Sequence, residues 1–155
     1  DSVISLAILN GIDFDVNERD EYLKISSSLR KNENSSKSND NEKFSTLSSN
    51  EEFILSVTDK GFGKRSSAYE YRKTKRGGVG IANMQLSDRN GSQVVASFPI
   101  NDNDQLMLVT DKGKLIRCPV NDVRIGGRQT QGVTLFNVSD EEKVVSVAKL
   151  EENEW

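Results

Sequence analysis

The chain has 155 residues, 34% of them hydrophobic and 29% charged, with a net charge of −3. That length suits one ordinary domain, and the polarity places part of it outside any core. Zero histidines and a single cysteine, Cys118, argue against a histidine-based catalytic centre, a Cys-type zinc site and an internal disulfide framework. No apolar run approaches the roughly 18–20 residues of a membrane helix and no basic-then-apolar leader opens the chain. A soluble cytoplasmic protein is expected, and the start at Asp1 suggests a piece of something longer.

Residues 1–9 read as a strand, because Asp1-Ser2-Val3-Ile4-Ser5-Leu6-Ala7 matches Glu142–Ala148 further on. Residues 10–52 follow as a helix and a linker. Asn17 is the expected helix cap with acids in the first turn, and Tyr22, Ile25 and Leu29 form one apolar stripe. From Lys31 the composition turns to Ser, Asn, Lys and Glu, which reads as a mobile linker with weak helix around Glu42–Leu47.

Residues 53–104 and 105–150 are two copies of one unit. At an offset of 52, eleven of the 32 positions from Val57 to Asp88 are identical, where random matching gives roughly two. Val57-Thr58-Asp59-Lys60-Gly61 matches Val109–Gly113; Arg65, Arg72, Arg76 and Gly80 match Arg117, Arg124, Arg128 and Gly132. The register then slips by two at the turn Asp88-Arg89-Asn90-Gly91. The second unit reads as four short strands, Leu106–Thr110, Leu115–Val120, Gly132–Val138 and Val144–Ala148. Four strands in about 50 residues, repeated, predict an all-β, propeller-like fold. The expected content is two complete blades and the last strand of a preceding one. A β-sandwich is the competitor, but it gives no reason for loop charges to recur at constant spacing. Residues 151–155 form an acidic tail.

Catalytic chemistry is thinly supplied. No G-x-x-x-x-G-K-[ST] loop is present, and the pairs Glu51/Glu52, Glu141/Glu142 and Glu151/Glu152 read as solvated charge. Tyr69 and Tyr71 lack an activating base nearby in sequence, and Cys118 beside Pro119 reads as a packed side chain. No catalytic residue and no metal ligand is expected.

Charge is the informative signal. Residues 59–76 carry a net +5 and residues 111–128 a net +3, against −5 over the first 52 residues. Lys60, Arg65, Arg72 and Arg76 recur as Lys112, Arg117, Arg124 and Arg128. Lys64, Lys73 and Lys75 add to the first unit and Lys114 to the second. In stacked blades such positions would line one curved rim, suited to the phosphates of double-stranded DNA. The backbone of Gly77-Gly78-Val79-Gly80 could help hold a phosphate. A protein-interaction propeller is the alternative reading.

These stretches resemble a known family. ILSVTDKGFGKRSSAYEYRKTKRGGVGI, DQLMLVTDKGKLIRCPVNDVRIGGRQTQGV and DSVISLAIL are similar to the C-terminal DNA-wrapping domain of the DNA gyrase A subunit. The likeness covers residues 1–30 and 53–150. The corresponding domain of the topoisomerase IV A subunit is a weaker match. The resemblance implies a β-pinwheel, whose strands are exchanged between neighbouring blades and whose basic rim wraps DNA. It implies partners: duplex DNA, the rest of the gyrase A subunit, and the gyrase B subunit, in an A2B2 complex in the nucleoid. It implies no cofactor for this stretch; ATP and Mg2+ would act through other regions of that type II topoisomerase. The family's box Q-R-R-G-G-K-G is only echoed here, by Thr74–Gly80, without the glutamine and with valine for lysine.

Overall fold

The computed structural model describes residues 2–31 and 42–151. Each Val-Thr-Asp-Lys-Gly phrase folds as the turn of a hairpin. In the first unit β1 (Phe53–Thr58) pairs antiparallel with β2 (Phe62–Ser67), Phe53 opposite Ser67 and Val57 opposite Gly63. β3 (Val94–Ile100) lies on the other side of β1. In the second unit β4 (Gln105–Thr110) pairs with β5 (Leu115–Pro119), Gln105 opposite Pro119 and Val109 opposite Leu115. These registers coincide at the 52-residue offset.

The turn chemistry explains why the phrase is written twice. Gly61 and Gly113 have φ of +76° and +79°, a conformation that a side chain would strain. The Thr58 and Thr110 hydroxyls accept from the N–H groups of Phe62 at 3.3 Å and Lys114 at 3.1 Å. The Asp59 and Asp111 carboxylates each accept, at 3.0 Å, from the main chain that leads into the returning strand, at Ser92 and Lys143.

Two further strands complete the sheets: β6 (Val133–Thr134) and β7 (Val144–Leu150). β3 returns against β1 and β7 against β4, each with a register shift at the threonine, so that Thr58 faces Val94 and Thr110 faces Val144. The shift itself is the same in both units; the slip of the repeat appears as the loop from Thr58 to Val94 being two residues longer than that from Thr110 to Val144. The sheet orders are β3-β1-β2-β6 and β5-β4-β7. β6 belongs to the second unit in sequence but pairs with β2 of the first, Phe62 opposite Thr134 and Gly63 opposite Val133. The units are therefore joined by an exchanged strand.

This exchange accounts for three departures from the sequence expectation. The strand expected at 132–138 is only two residues long. Beyond it Leu135 and Phe136 bond to Gly61 O at 2.8 and 3.2 Å, and a Cβ on Gly61 would meet Phe136 O at 2.2 Å. The equivalent stretch of the first unit, 80–86, forms no strand, and the two sheets offer it no β2-like edge among the described residues. Residues 2–9, expected as a strand, form none and are mostly exposed, for the same want of a pairing edge.

The main core is a single cluster between the sheets. Leu55 and Val57 of β1 and Leu106 and Leu108 of β4 are fully buried, with Val120, Val123 and Val144 around them. β4 alternates half-buried and buried positions, whereas β1 is buried on both faces from Leu55 onward. Central strands covered on both sides read as continuous apolar or small residues, and Ser56 and Thr58 fit there because their hydroxyls are bonded.

A second, aromatic cluster attaches the helices. α1 (Val16–Lys31) starts two residues earlier than expected. The cap is Asp15, not Asn17: its N–H donates to Glu18 Oε2 at 3.3 Å, the reciprocal half of a capping box. α2 (Glu42–Ser49) lies where weak helix was expected. Tyr22, Leu47 and Tyr69 are buried together with Phe14 and Phe44 against them. Tyr22 O–H donates to Glu51 at 2.6 Å, and Tyr69 O–H donates to Leu47 O at 2.9 Å. Residues 32–41 of the linker and the tail beyond Glu151 lie outside the described residues.

Candidate nucleic-acid interface

The twelve cations expected on one rim do not share a single surface. Lys60 and Lys112 are exposed on the hairpin turns, Lys60 donating to Asp88 O at 2.5 Å. Lys114 follows the second turn, and its ammonium reaches the buried carboxylate of Glu142 at 2.6 Å. That bond, then the Thr110 hydroxyl, hold the Glu142 carboxyl below the usual carboxylate range.

Arg72, Lys73, Lys75 and Arg76 sit on the exposed loop that follows β2 and the short 3-10 turn Ala68–Glu70. Lys73 lies 3.2 Å from Asp13, both side chains open to solvent. Arg72, Lys75, Arg76 and Lys112 have no bonded partner among the described residues. Arg124 is exposed and Arg128 half-buried on the segment between the turn Val120–Asp122 and β6. The exchange brings that segment to the first unit. Arg65 N–H donates to Arg124 O at 3.0 Å, and Arg128 N–H donates to the Glu70 carboxylate at 2.8 Å. The Arg128 guanidinium itself is spent on Ala82 O.

A strand of six residues separates the two ends of each hairpin by roughly 20 Å. Lys60 and Lys112 therefore lie at the turn end, whereas Arg72–Arg76 and Arg128 gather beyond the opposite end. The single curved track drawn from sequence is corrected to two separate basic regions.

Lys64 and Arg65 belong to neither, which is the second correction. They are 1% and 6% exposed. Lys64 Nζ donates to Gly127 O at 2.9 Å and to Arg128 O, and burial pulls its pKa down to about 8. Arg65 donates through Nε to Val123 O at 2.7 Å and pairs through Nη1 with Asp102. Both fasten the second unit to the first. Arg117, the repeat partner of Arg65, remains exposed on β5 and donates to Gln105 Oε1 at 2.5 Å. The same arginine is buried where an exchanged segment covers it and open where none does.

Asn90 was missed by the sequence reading. Fully buried, it donates to Gln85 O at 2.8 Å and to Gln131 O at 2.9 Å, and accepts from Ser87 N–H at 2.7 Å. It bridges the units as Lys64 does; in sequence it looked like one residue of a turn. Among the described residues no cluster of three or more His, Cys, Asp or Glu could hold a metal ion.

Known proteins share this arrangement. The family model described as DNA gyrase C-terminal domain, beta-propeller, matches residues 52–101 and 104–151. The DNA gyrase A subunit of Rickettsia bellii (strain RML369-C) is 47% identical over 162 residues, covering 99% of this chain and 18% of the relative. That of Haemophilus influenzae (strain ATCC 51907 / DSM 11121 / KW20 / Rd) is 43% identical over 97 residues, 63% of this chain and 11% of the relative. A solved DNA gyrase A C-terminal domain superposes with a TM-score of 0.59 at 28% identity, covering 63% of this chain and 33% of the other. The C-terminal domain of DNA topoisomerase IV gives 0.59 at 25%, covering 65% and 31%. The chain thus spans about a fifth of the length of the curated relatives it matches.

Proposed function

Since the chain belongs to the DNA gyrase C-terminal domain family, we propose that it is a non-catalytic, DNA-wrapping part of the gyrase A subunit. In this reading it bends duplex DNA over its basic loops, so that the complex of gyrase A with gyrase B introduces negative supercoils. ATP hydrolysis, with Mg2+, then belongs to other regions of that complex, and the complex works in the cytoplasm on the nucleoid. Among the described residues no helix is long and apolar enough to cross a membrane.

The observation that carries the reading is a set of exposed cations without carboxylate partners, Arg72, Lys75, Arg76, Lys112 and Arg124, on repeat-related loops of a family-matched fold. Such charges release counterions from DNA when they meet phosphates. Bending a duplex costs elastic energy, and many weak contacts offset it. The test is the salt dependence of duplex affinity for the full-length protein. Each phosphate contact contributes about 0.9 to the log–log slope, so Arg72→Glu, Lys75→Glu and Arg76→Glu together should flatten it by about 2–3. An unchanged slope would overturn the reading in favour of a protein-binding propeller.

The equal TM-score of the topoisomerase IV domain supports a second reading, the equivalent part of that enzyme. A full-length protein whose holoenzyme relaxes DNA without introducing negative supercoils would favour it.

A further inference from the structure

The helices lie outside the residues that the family model matches, 52–151, and the reading above assigns them nothing. α1 nevertheless stands against the junction between the units. Between its C-terminal half and the segment 124–131 runs a cleft of about 880 Å³, lined on the helix side by Leu23, Ser27 and Lys31 and on the other by Arg124, Gly127 and Gln131. α1 is fixed there by three contacts at its base. Tyr22 and Arg30 both bond to Glu51, Arg30 at 2.9 Å, and the Arg30 guanidinium lies 5.3 Å from the centre of the Phe53 ring.

The chemistry of the cleft is that of an anion site. Lys31 on the helix side and Arg124 on the other both line it, both are exposed, and neither has a carboxylate partner among the described residues. Behind them the buried Lys64 ammonium forms part of the lining. The one carboxylate in the lining, Glu70, accepts from Arg128 N–H and is outnumbered there by Arg30, Lys31, Lys64, Arg65 and Arg124. Gly127 N–H has no acceptor among the described residues. Cations on two walls of a cleft attract an anion more strongly than the same charges on an open surface, because the walls keep solvent from screening them.

We propose that this cleft is a phosphate-binding site for the backbone of duplex DNA, with α1 as its second wall, so that the helical insertion extends the path of the bound DNA. The inference rests on the DNA-binding reading above. In this proposal Lys31 and Arg124 contact the phosphate backbone, and the Ser27 hydroxyl and Gly127 N–H, which line the same cleft, supply further donors.

The test combines a linear duplex with the full-length protein. Lys31→Glu and Arg124→Glu are expected to flatten the salt slope by about 1 each, with unchanged melting temperature. In a Cys118→Ser background, Ser27→Cys should crosslink to a duplex carrying a thiol tethered to phosphate, and Lys24→Cys, on the same helix but outside the cleft, should not. Wild-type slope and no Ser27→Cys crosslink, while Arg72→Glu and Arg76→Glu still flatten the slope, would overturn the cleft and leave the DNA reading intact. Protection of Ser27→Cys from alkylation by inorganic phosphate, with no change in duplex slope, would assign the cleft to a free anion and also overturn it. A wild-type protein that binds no duplex would remove the reading on which the inference rests.

Discussion

Lys64 and Arg65 show how one residue type serves two purposes in a repeat. Their charges look in sequence like those of Arg72 or Lys75, yet they hold main-chain carbonyls of the second unit from inside the fold. Arg65→Ala leaves Val123 O without its donor and Asp102 without its partner. The expected cost is about 1–3 kcal/mol, measured by chemical denaturation, whereas Lys112→Glu on the exposed turn should stay within about 0.5 kcal/mol. Lys64 adds a pH signature. Its pKa of about 8 in the fold lies below the ~10.4 of an unfolded lysine. Between those values the unfolded chain binds more protons at this residue, so Lys64 contributes a rise in stability with pH from about 8. Above about pH 10 the slope reverses, because burial holds Tyr69 up to about 12 and the unfolded chain loses that proton first. Lys64→Met should abolish the rise and keep the reversal; a pH-denaturation series decides. Cys118 is half-buried and burial pushes its thiol up, so iodoacetamide should modify it more slowly at pH 8 than a free cysteine.

At the scale of elements, the joint between units carries the fold's distinctive step. β6 is short because only two of its residues reach β2, yet Lys64, Arg65 and Asn90 fasten the chain on either side of it. Asn90→Ala would strand Gln85 O and Gln131 O, and is expected to cost about 1–3 kcal/mol. Hydrogen exchange should show that loss concentrated in residues 124–136 rather than in β4 and β5; uniform loss would contradict a local clamp. The hairpins were legible in the sequence because their determinants are local: a threonine hydroxyl, an aspartate and a glycine of positive φ within five residues. The exchange was not, because pairing of Gly63 with Val133 spans seventy positions and leaves no periodic trace; only family likeness suggested it. The helix cap was misplaced by two residues, since Asp15 and Asn17 are both good caps and the reciprocal bond from Glu18 decides between them. Charge spacing picked out the repeated cations but not their exposure, which depends on what another unit lays over each strand.

For the whole molecule, two sheets and a helical insertion share one architecture in which a sheet is completed by the following unit. The β5-β4-β7 sheet has three strands where its neighbour has four, and β5 is an open edge among the described residues. Such edges are points of association, and repeat arrays generally need three or more units for stability. The isolated chain should therefore melt at a lower temperature than the whole domain, or associate as concentration rises; a concentration-independent melt matching that of the whole domain would contradict this. If the DNA-wrapping reading holds, surface loops, and not the buried cations, hold curved DNA. That reading is tested most directly by relaxing closed circular DNA in the presence of the full-length protein and measuring the linking difference that remains after the protein is removed. A clear difference is expected with the wild-type protein and a substantially smaller one with Arg72→Glu, Lys75→Glu and Arg76→Glu combined. Equal linking differences for the two proteins would contradict it.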